Sequence, residues 1–203
     1  MNLAEQFGNI DIYLFDQLLK GRITKDMRIL DAGCGSGRNL VYFLRNGYTV
    51  YAVDRSEDAI RAVRELGATL APVWSEEQAR VEAVECMSFA TESFDFVISN
   101  AVLHFAEDEA HFQQMMEELW RVLAPGGMLF IRLASSIGIE ERIKPLGNQR
   151  YLLPDGSTRF LVNEEIMRET TVALQGTLFE PIKTVNVAGL RCMSTWCLKK
   201  PVT

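Results

Sequence analysis

Leu30-Asp31-Ala32-Gly33-Cys34-Gly35-Ser36-Gly37-Arg38-Asn39, with Asp54 at the end of the next apolar run, is the stretch that decides the fold. Arg28 to Ala32 has the apolar character of a buried strand, and Arg38 to Asn46 sets Leu40, Val41, Phe43 and Leu44 at helical spacing. Glycine at alternate positions between them permits positive φ and lets a ligand approach the main chain closely. The turn leads to a predicted helix N-terminus, where free N–H groups and the helix dipole favour an anionic group. Thr49 to Val53 is a second buried strand, and Asp54 at its end can accept both hydroxyls of a ribose. Together these features imply a ribose-containing cofactor lying across the strand ends.

Outward from this centre the chain alternates strands with helices. Ala4 to Lys20 is a predicted helix that stops at Gly21, and a helix capped by Ser56 runs to Leu66. Arg80 to Glu85 is the weakest strand pattern. Phe94 to Ser99 is continuous enough to be buried on both faces, Asp108 to Leu123 is a helix closed by Pro125-Gly126-Gly127, and Met128 to Leu133 is a fifth strand. Such alternation predicts an α/β fold with a doubly wound, mostly parallel sheet. After Leu133 the pattern changes. Asn163 caps a helix to about Val172, and Leu178–Val187 with Arg191–Lys199 form a C-terminal antiparallel hairpin around Ala188-Gly189. We expect one domain over 1–203, with an N-terminal helix or lid (1–27), a cofactor-binding core (28–134), a substrate lid (135–162) and a closing helix and hairpin (163–203).

The dinucleotide fingerprint Gly-x-Gly-x-x-Gly fails here, because counting from Gly33 its third glycine falls on Arg38. Asp31, just before the turn, would repel a pyrophosphate and suits an ammonium. S-adenosyl-L-methionine offers an α-ammonium for Asp31, a carboxylate for the helix end and ribose hydroxyls for Asp54. From Arg28 to Leu133 the sequence resembles the class I S-adenosylmethionine-dependent methyltransferases, whose first motif reads like Leu-Asp-x-Gly-Cys-Gly-x-Gly. Gly35-x-Gly37-Arg38-Asn39, Asn46-Gly47-Tyr48-x-Val50 and Phe94-Asp95-Phe96-Val97-Ile98-Ser99 are similar to the small bacterial tellurite-resistance-type group. The resemblance implies a Rossmann-like sheet ending in an antiparallel hairpin, and methyl transfer as the activity.

It also implies site residues. The cofactor set is Asp31, Gly33, Cys34, Gly35, Arg38, Asp54, Arg55 and Asn100, with Glu85, Cys86 and Met87 beside the adenine; a different alignment puts Ala83 there. Glutamate at 85 departs from the aspartate common in the family. Arg38, just inside its helix, could pair with the methionine carboxylate. The segment Ser99 to Phe105 is where donor and acceptor meet. His104 is there a candidate general base or a structural histidine, and His111 reads as a surface residue. Tyr13, Trp74 and Phe105 could offer an aromatic face to a sulfonium, or belong to the core.

Composition narrows the partners. The 203 residues carry a formal charge of −6 without a lysine-arginine run, which disfavours a nucleic-acid polymer. No Pro-Pro or Pro-Cys dipeptide exists to support the adenine, glutamine or cytosine-C5 chemistries. Met1 to Gln6 has no basic n-region, no apolar run approaches a membrane span, and Cys34, Cys86, Cys192 and Cys197 lack metal-ligand spacing. The expectation is a cytoplasmic enzyme with reduced thiols and no metal, acting on a small molecule beneath the lid cations Arg142, Lys144, Arg150 and Arg159. Alternatives are a non-catalytic S-adenosylmethionine-binding partner protein, a protein or RNA methyltransferase, and a nicotinamide oxidoreductase.

Overall fold

The computed structural model describes residues 2–202. Two short helices, α1 (Leu3–Phe7) and α2 (Ile12–Leu19), stand where one helix was expected. The break comes at Gly8, whose φ is +60°, and Asp11 restarts the chain by accepting the Tyr13 N–H at 2.9 Å. Then follow β1 (Arg28–Ala32), α3 (Val41–Arg45), β2 (Thr49–Asp54), α4 (Glu57–Leu70), β3 (Ala79–Val81), β4 (Phe94–Asn100), α5 (Glu109–Val122) and β5 (Leu123–Ser135). The strand β3 is only three residues long, and its last parallel ladder bond runs from the Glu82 N–H to the Asp54 carbonyl. Pro125-Gly126-Gly127 lies inside β5, where the register against β4 shifts between Phe94 and Phe96.

The strand order is β10-β11-β5-β4-β1-β2-β3, with β10 (Lys183–Val187) and β11 (Arg191–Lys199) forming the expected hairpin. All pairings among β1 to β5 are parallel; β11 runs antiparallel to β5, β10 and the two-residue β9 (Thr177–Leu178). Residues 179–182 interrupt the predicted 178–187 strand. Pro181 has no N–H to donate to a ladder, and Glu180 gathers Lys20, Arg22 and Lys183, tying α2 to this turn.

Side chains alternate across the buried strands. Ile29, Phe96, Ile98 and Phe130 pack with α2, α3 and α4, while Leu30, Val97, Leu129 and Ile131 pack with α5 and α6 (Glu164–Ala173). Trp196, Phe43, Phe94, Phe96, Phe130 and Phe160 are fully buried, each worth about 1.5–3 kcal/mol of transfer free energy. At the carboxyl ends the same alternation brings Asp31, Asn100 and Arg132 onto the α2–α3 face.

The segment expected to be an irregular lid contains a second sheet, β6 (Lys144–Gly147), β7 (Arg150–Leu152) and β8 (Thr158–Phe160). Two tight turns make it: Asn148 and Gln149 take φ of 54° and 56°, and Asp155 accepts the Ser157 N–H at 2.9 Å. Phe160 stacks on Phe112 at 5.0 Å between ring centroids, anchoring this sheet to α5.

Candidate active site

A cavity of about 430 Å³ opens at the carboxyl ends of β1, β2 and β4. This is where ligands bind in open α/β sheets. Gly33 to Ser36 form its floor. Gly33 has φ of +78°, and a Cβ there would lie 2.4 Å from Val102, so the turn and the segment after β4 touch as only glycine allows.

The helix after this turn begins later than expected. Val41–Arg45 is a single short helix without a side-chain cap, and Cys34 to Leu40 is a run of turns. The Gly33 and Cys34 N–H groups donate to the Val53 carbonyl, at 2.8 and 3.0 Å, and Gly35 N–H donates to Asp54 at 2.9 Å. These three amides brace β1 against β2 and are not free for an anion. Arg38 supplies the positive charge instead. Its guanidinium lines the cavity, donates to Asn100 Oδ1 at 2.9 Å and lies 3.9 Å from Asp11. Asp11 is held in turn by Arg132 at 3.1 Å, and its N–H donates to Asn39 Oδ1 at 3.0 Å.

Asp54 and Arg55 stand in the wall as expected. Both Asp54 oxygens are engaged, by the Gly35 N–H and by the Ser56 N–H at 2.9 Å, so the carboxylate also sets the loop. Each oxygen keeps a second lone pair. Asp31 does not line the cavity. It sits on β1 two residues before Gly33, 1% exposed, with neither carboxylate oxygen hydrogen-bonded. Burial pushes its pKa up to about 7, with the Asp54 charge adding to the rise and Arg38 opposing it.

The adenine wall is shifted from the expected triplet. Ala83, Val84 and Glu85 line the cavity; Cys86 is exposed and Met87 turns into the core. Val102, His111 and Met115 line it as well, with His111 Nε2 3.5 Å from Glu85 Oε1. His111 is therefore a cavity residue and not a surface one. The legible signal was its four-residue spacing to Met115 on one face of α5, behind the Asp108 cap.

His104 does not reach the cavity. It is buried, its Nδ1 accepts the Ala134 N–H at 3.2 Å, and burial reinforced by the Arg159 charge lowers its pKa to about 4. That leaves it a neutral structural acceptor and removes the basis for a general base. Cys34 is likewise quiet, since burial and the nearby Asp31 and Asp54 charges push its thiol well above the usual range. Of the three aromatics, Phe105 lines the cavity, Tyr13 lies under the Arg132 guanidinium at 5.1 Å, and Trp74 packs behind α4 with its indole N–H on the Val50 carbonyl. Ala101, in the cavity wall, takes φ of 63°, a backbone strain that its chemistry did not signal.

Among the lid cations, Arg150 donates to the Ala106 carbonyl at 3.3 Å, and Arg159 lies 4.9 Å over the ring of Phe105, a cavity residue. Arg142 instead meets the Ala188 carbonyl, and Lys144 is exposed on β6. Among the described residues no cluster of His, Cys, Asp or Glu could hold a metal, and no helix is long and apolar enough to cross a membrane.

The residues present fit the cofactor that the sequence implies. The cavity has an unpaired buried carboxylate two residues before its glycine turn, a second carboxylate beside it and a guanidinium at one end, an arrangement suited to a ligand that carries ammonium, diol and carboxylate groups.

Residues 30–131, just over half of the chain, match the family described as methyltransferase domain. The chain is 33% identical over 127 residues to the uncharacterized methyltransferase YodH of Bacillus subtilis, covering 63% of this chain and 48% of that protein. To the malonyl-[acyl-carrier protein] O-methyltransferase of Enterobacter lignolyticus it is 37% identical over 109 residues, covering 53% and 39%. The chain thus spans about half or less of the length of these curated relatives. In fold it is similar to a SAM-dependent methyltransferase from Methanosarcina mazei, with a TM-score of 0.73, 22% identity and coverage of 92% and 98%. The chain belongs to the methyltransferase-domain family, within the class I S-adenosylmethionine-dependent methyltransferases.

Proposed function

We propose that this chain transfers a methyl group from S-adenosyl-L-methionine to a small-molecule acceptor by in-line displacement. The observation that carries the reading is the buried Asp31 carboxylate, without a hydrogen-bond partner, two residues before the glycine turn that lines the cavity. A site whose deepest charge is an unpaired carboxylate favours a cationic ligand, whereas the pyrophosphate of a nicotinamide dinucleotide would add a second anion. Asp54 would hold the ribose hydroxyls, Glu85 the adenine amine and Arg38 the methionine carboxylate. Bound there, the cofactor supplies an electrophilic sulfonium methyl.

The chain's own part is mainly alignment and exclusion of water. With His104 held in the core, no imidazole stands at the acceptor end, and positioning of an already nucleophilic acceptor supplies the rate. Phe105, on the turn after β4, gives the acceptor end an aromatic face. Arg159, on β8 and over the Phe105 ring, and Arg150, on β7, would offer positive charge to an anionic acceptor. The small sheet β6–β8 would be its lid.

Two measurements test this. Calorimetric titration should give binding with S-adenosylhomocysteine and none with NAD. A screen with labelled methyl donor over thiols, phenols, amines, carboxylates and chalcogen oxyanions should find an acceptor among them. Heat with NAD alone, or robust methylation of tRNA or protein with no small acceptor, overturns the proposal.

A further inference from the structure

We propose that the groove between α5 and α6 docks a short, basic, amphipathic helix of a partner protein. The proposal concerns a surface apart from the cofactor cavity and does not depend on the functional reading above.

A second hollow, about 500 Å³ in volume, is lined by α5 and α6 and reaches the small sheet at Gln149 and Phe160. The spacing of the sequence builds its α5 wall. Glu109, Phe112, Gln113, Met116 and Glu117 recur every three or four residues and so share one helix face. Phe112 and Met116 on that wall, and Phe160 stacked on Phe112 at 5.0 Å, are nearly fully buried and give the groove a fixed base. Accessible apolar surface comes from α6 and its C-cap, where Ile166 and Leu174 are half-buried and Ala173 is exposed. At the helical rise, Glu109 to Glu117 spans about 12 Å, the length of about two turns of a docked helix.

The charges select the occupant. Glu109 and Glu117 on α5 and Glu165 and Glu169 on α6 are exposed and line the groove, and among the described residues no lysine or arginine lines it. Of the four, among the described residues, only Glu169 has a cation within 4.0 Å, Arg168 at 3.7 Å. Net acidity of the chain does not explain this, because the hollow of the same volume beside α4 mixes Arg61 and Arg64 with Glu57, Glu65 and Glu76. Glu109 and Glu165 stand in first turns, where the helix dipole favours a carboxylate; Glu117 and Glu169 lie beyond them and lack that support. Four carboxylates beside an apolar strip complement a helix whose apolar stripe is flanked by lysine or arginine. A second copy of the chain fits worse, since its formal charge of −6 would set acid against acid. The occupant would also touch Gln149 and Phe160, and through them the sheet β6–β8.

The test is a display selection of random peptides of about 14 residues, about four helical turns, against the full chain. The winners are titrated by fluorescence anisotropy against wild type, the double variant Glu117→Lys with Glu169→Lys, and Ala173→Asp, with thermal unfolding as the check on folding. Winners should carry apolar residues at three- or four-residue spacing flanked by lysine or arginine. Their Kd should rise about tenfold or more in the charge-reversed variant, and about tenfold in wild type between about 50 and 300 mM salt. If a reversed variant does not fold, the neutral pair Glu117→Gln with Glu169→Gln replaces it and should weaken binding by about threefold or more. Selection that yields no binder, winners without basic residues, or winners that bind the folded variants as tightly as wild type overturn the proposal. Sedimentation of wild type as a dimer that Ala173→Asp dissociates would give the groove to a second copy and overturn it as well. None of these readouts involves a methyl donor, so failure here leaves the methyl-transfer reading standing.

Discussion

Replacing Asp31 by asparagine should flatten the pH dependence of cofactor binding and stabilise the ligand-free protein above neutrality. Asp31 is buried, and its pKa in the folded chain stands at about 7 against an ordinary 3.8. At about 1.36 kcal/mol per pH unit, that rise amounts to about 4 kcal/mol. Between these two pH values the native state holds a proton that the unfolded chain has released. Stability from this group is therefore fully present below 3.8, falls as pH rises, and is gone above about 7. His104 acts in the opposite sense. Its folded pKa of about 4 lies below the usual 6.5, so its contribution is lost as pH falls through that interval. The two slopes offset each other in wild type, and only the difference between wild type and Asp31→Asn isolates the carboxylate. In denaturant melts from pH 4 to 8 that difference should grow in favour of the variant by up to about 4 kcal/mol. A cation in the cavity favours the ionised form of Asp31, so binding of S-adenosylhomocysteine at pH 6 should release close to one proton, and none by pH 8. Calorimetry in buffers of different ionisation enthalpy counts that proton, and Asp31→Asn should abolish it. Zero proton release in wild type from pH 5.5 to 7.5, with a flat affinity, would refute the assignment of the cavity to a cationic ligand near Asp31.

Asp54→Ala should weaken S-adenosylhomocysteine binding by about 2–3 kcal/mol for the lost charge-assisted bonds, and lower stability by about 1 kcal/mol because Gly35 and Ser56 lose their acceptor. Titration of a protein shown by circular dichroism to be folded checks both; affinity within threefold of wild type would exclude the ribose role. Arg159→Ala should raise the acceptor KM by about tenfold with cofactor affinity unchanged, since its guanidinium lies over the ring of Phe105, a cavity residue. Glu180 pairs with Lys20, Arg22 and Lys183; burial raises its pKa, but those bonds more than offset this and hold it at about 2. A depressed carboxylate stabilises above its ordinary pKa and loses that contribution as pH falls, here from 4.5 to about 2. Acid unfolding of Glu180→Gln should therefore be shallower in that window by about 3 kcal/mol.

Leu30 to Asn39 with Asp54 carried the fold class because local patterning and backbone need coincide there: an apolar run, glycines where φ is positive, and a polar side chain at the strand end. The succession of strands and helices and the closing hairpin were legible in the same patterning of apolar runs, whereas the order of strands in the sheet came only with the structure. What failed were boundaries set by distant partners. The helix after Gly37 starts late because the turn amides bond to Val53 and Asp54, and the first helix splits where Asp11 is drawn toward Arg132 and Arg38. Which of the two readings of His104 held, and that His111 lines the cavity, were undecided by the sequence for a comparable reason. A sequence gives their spacing, but which one faces the cavity depends on how α5 rotates against β4 and β5 and on where the Ala134 N–H finds its acceptor. The sequence by itself determined the sheet, the cofactor class and the acidic residues at the strand ends, because these follow from periodicity and from residue chemistry at fixed short spacing. The tertiary structure alone decided that Asp31 is buried without a hydrogen-bond partner, that Arg38 is aimed by Asn100 and Asp11, and that His111 faces Glu85. Each of these is a pairing between segments far apart in the chain, and burial and orientation of that kind exist only once the strands are packed.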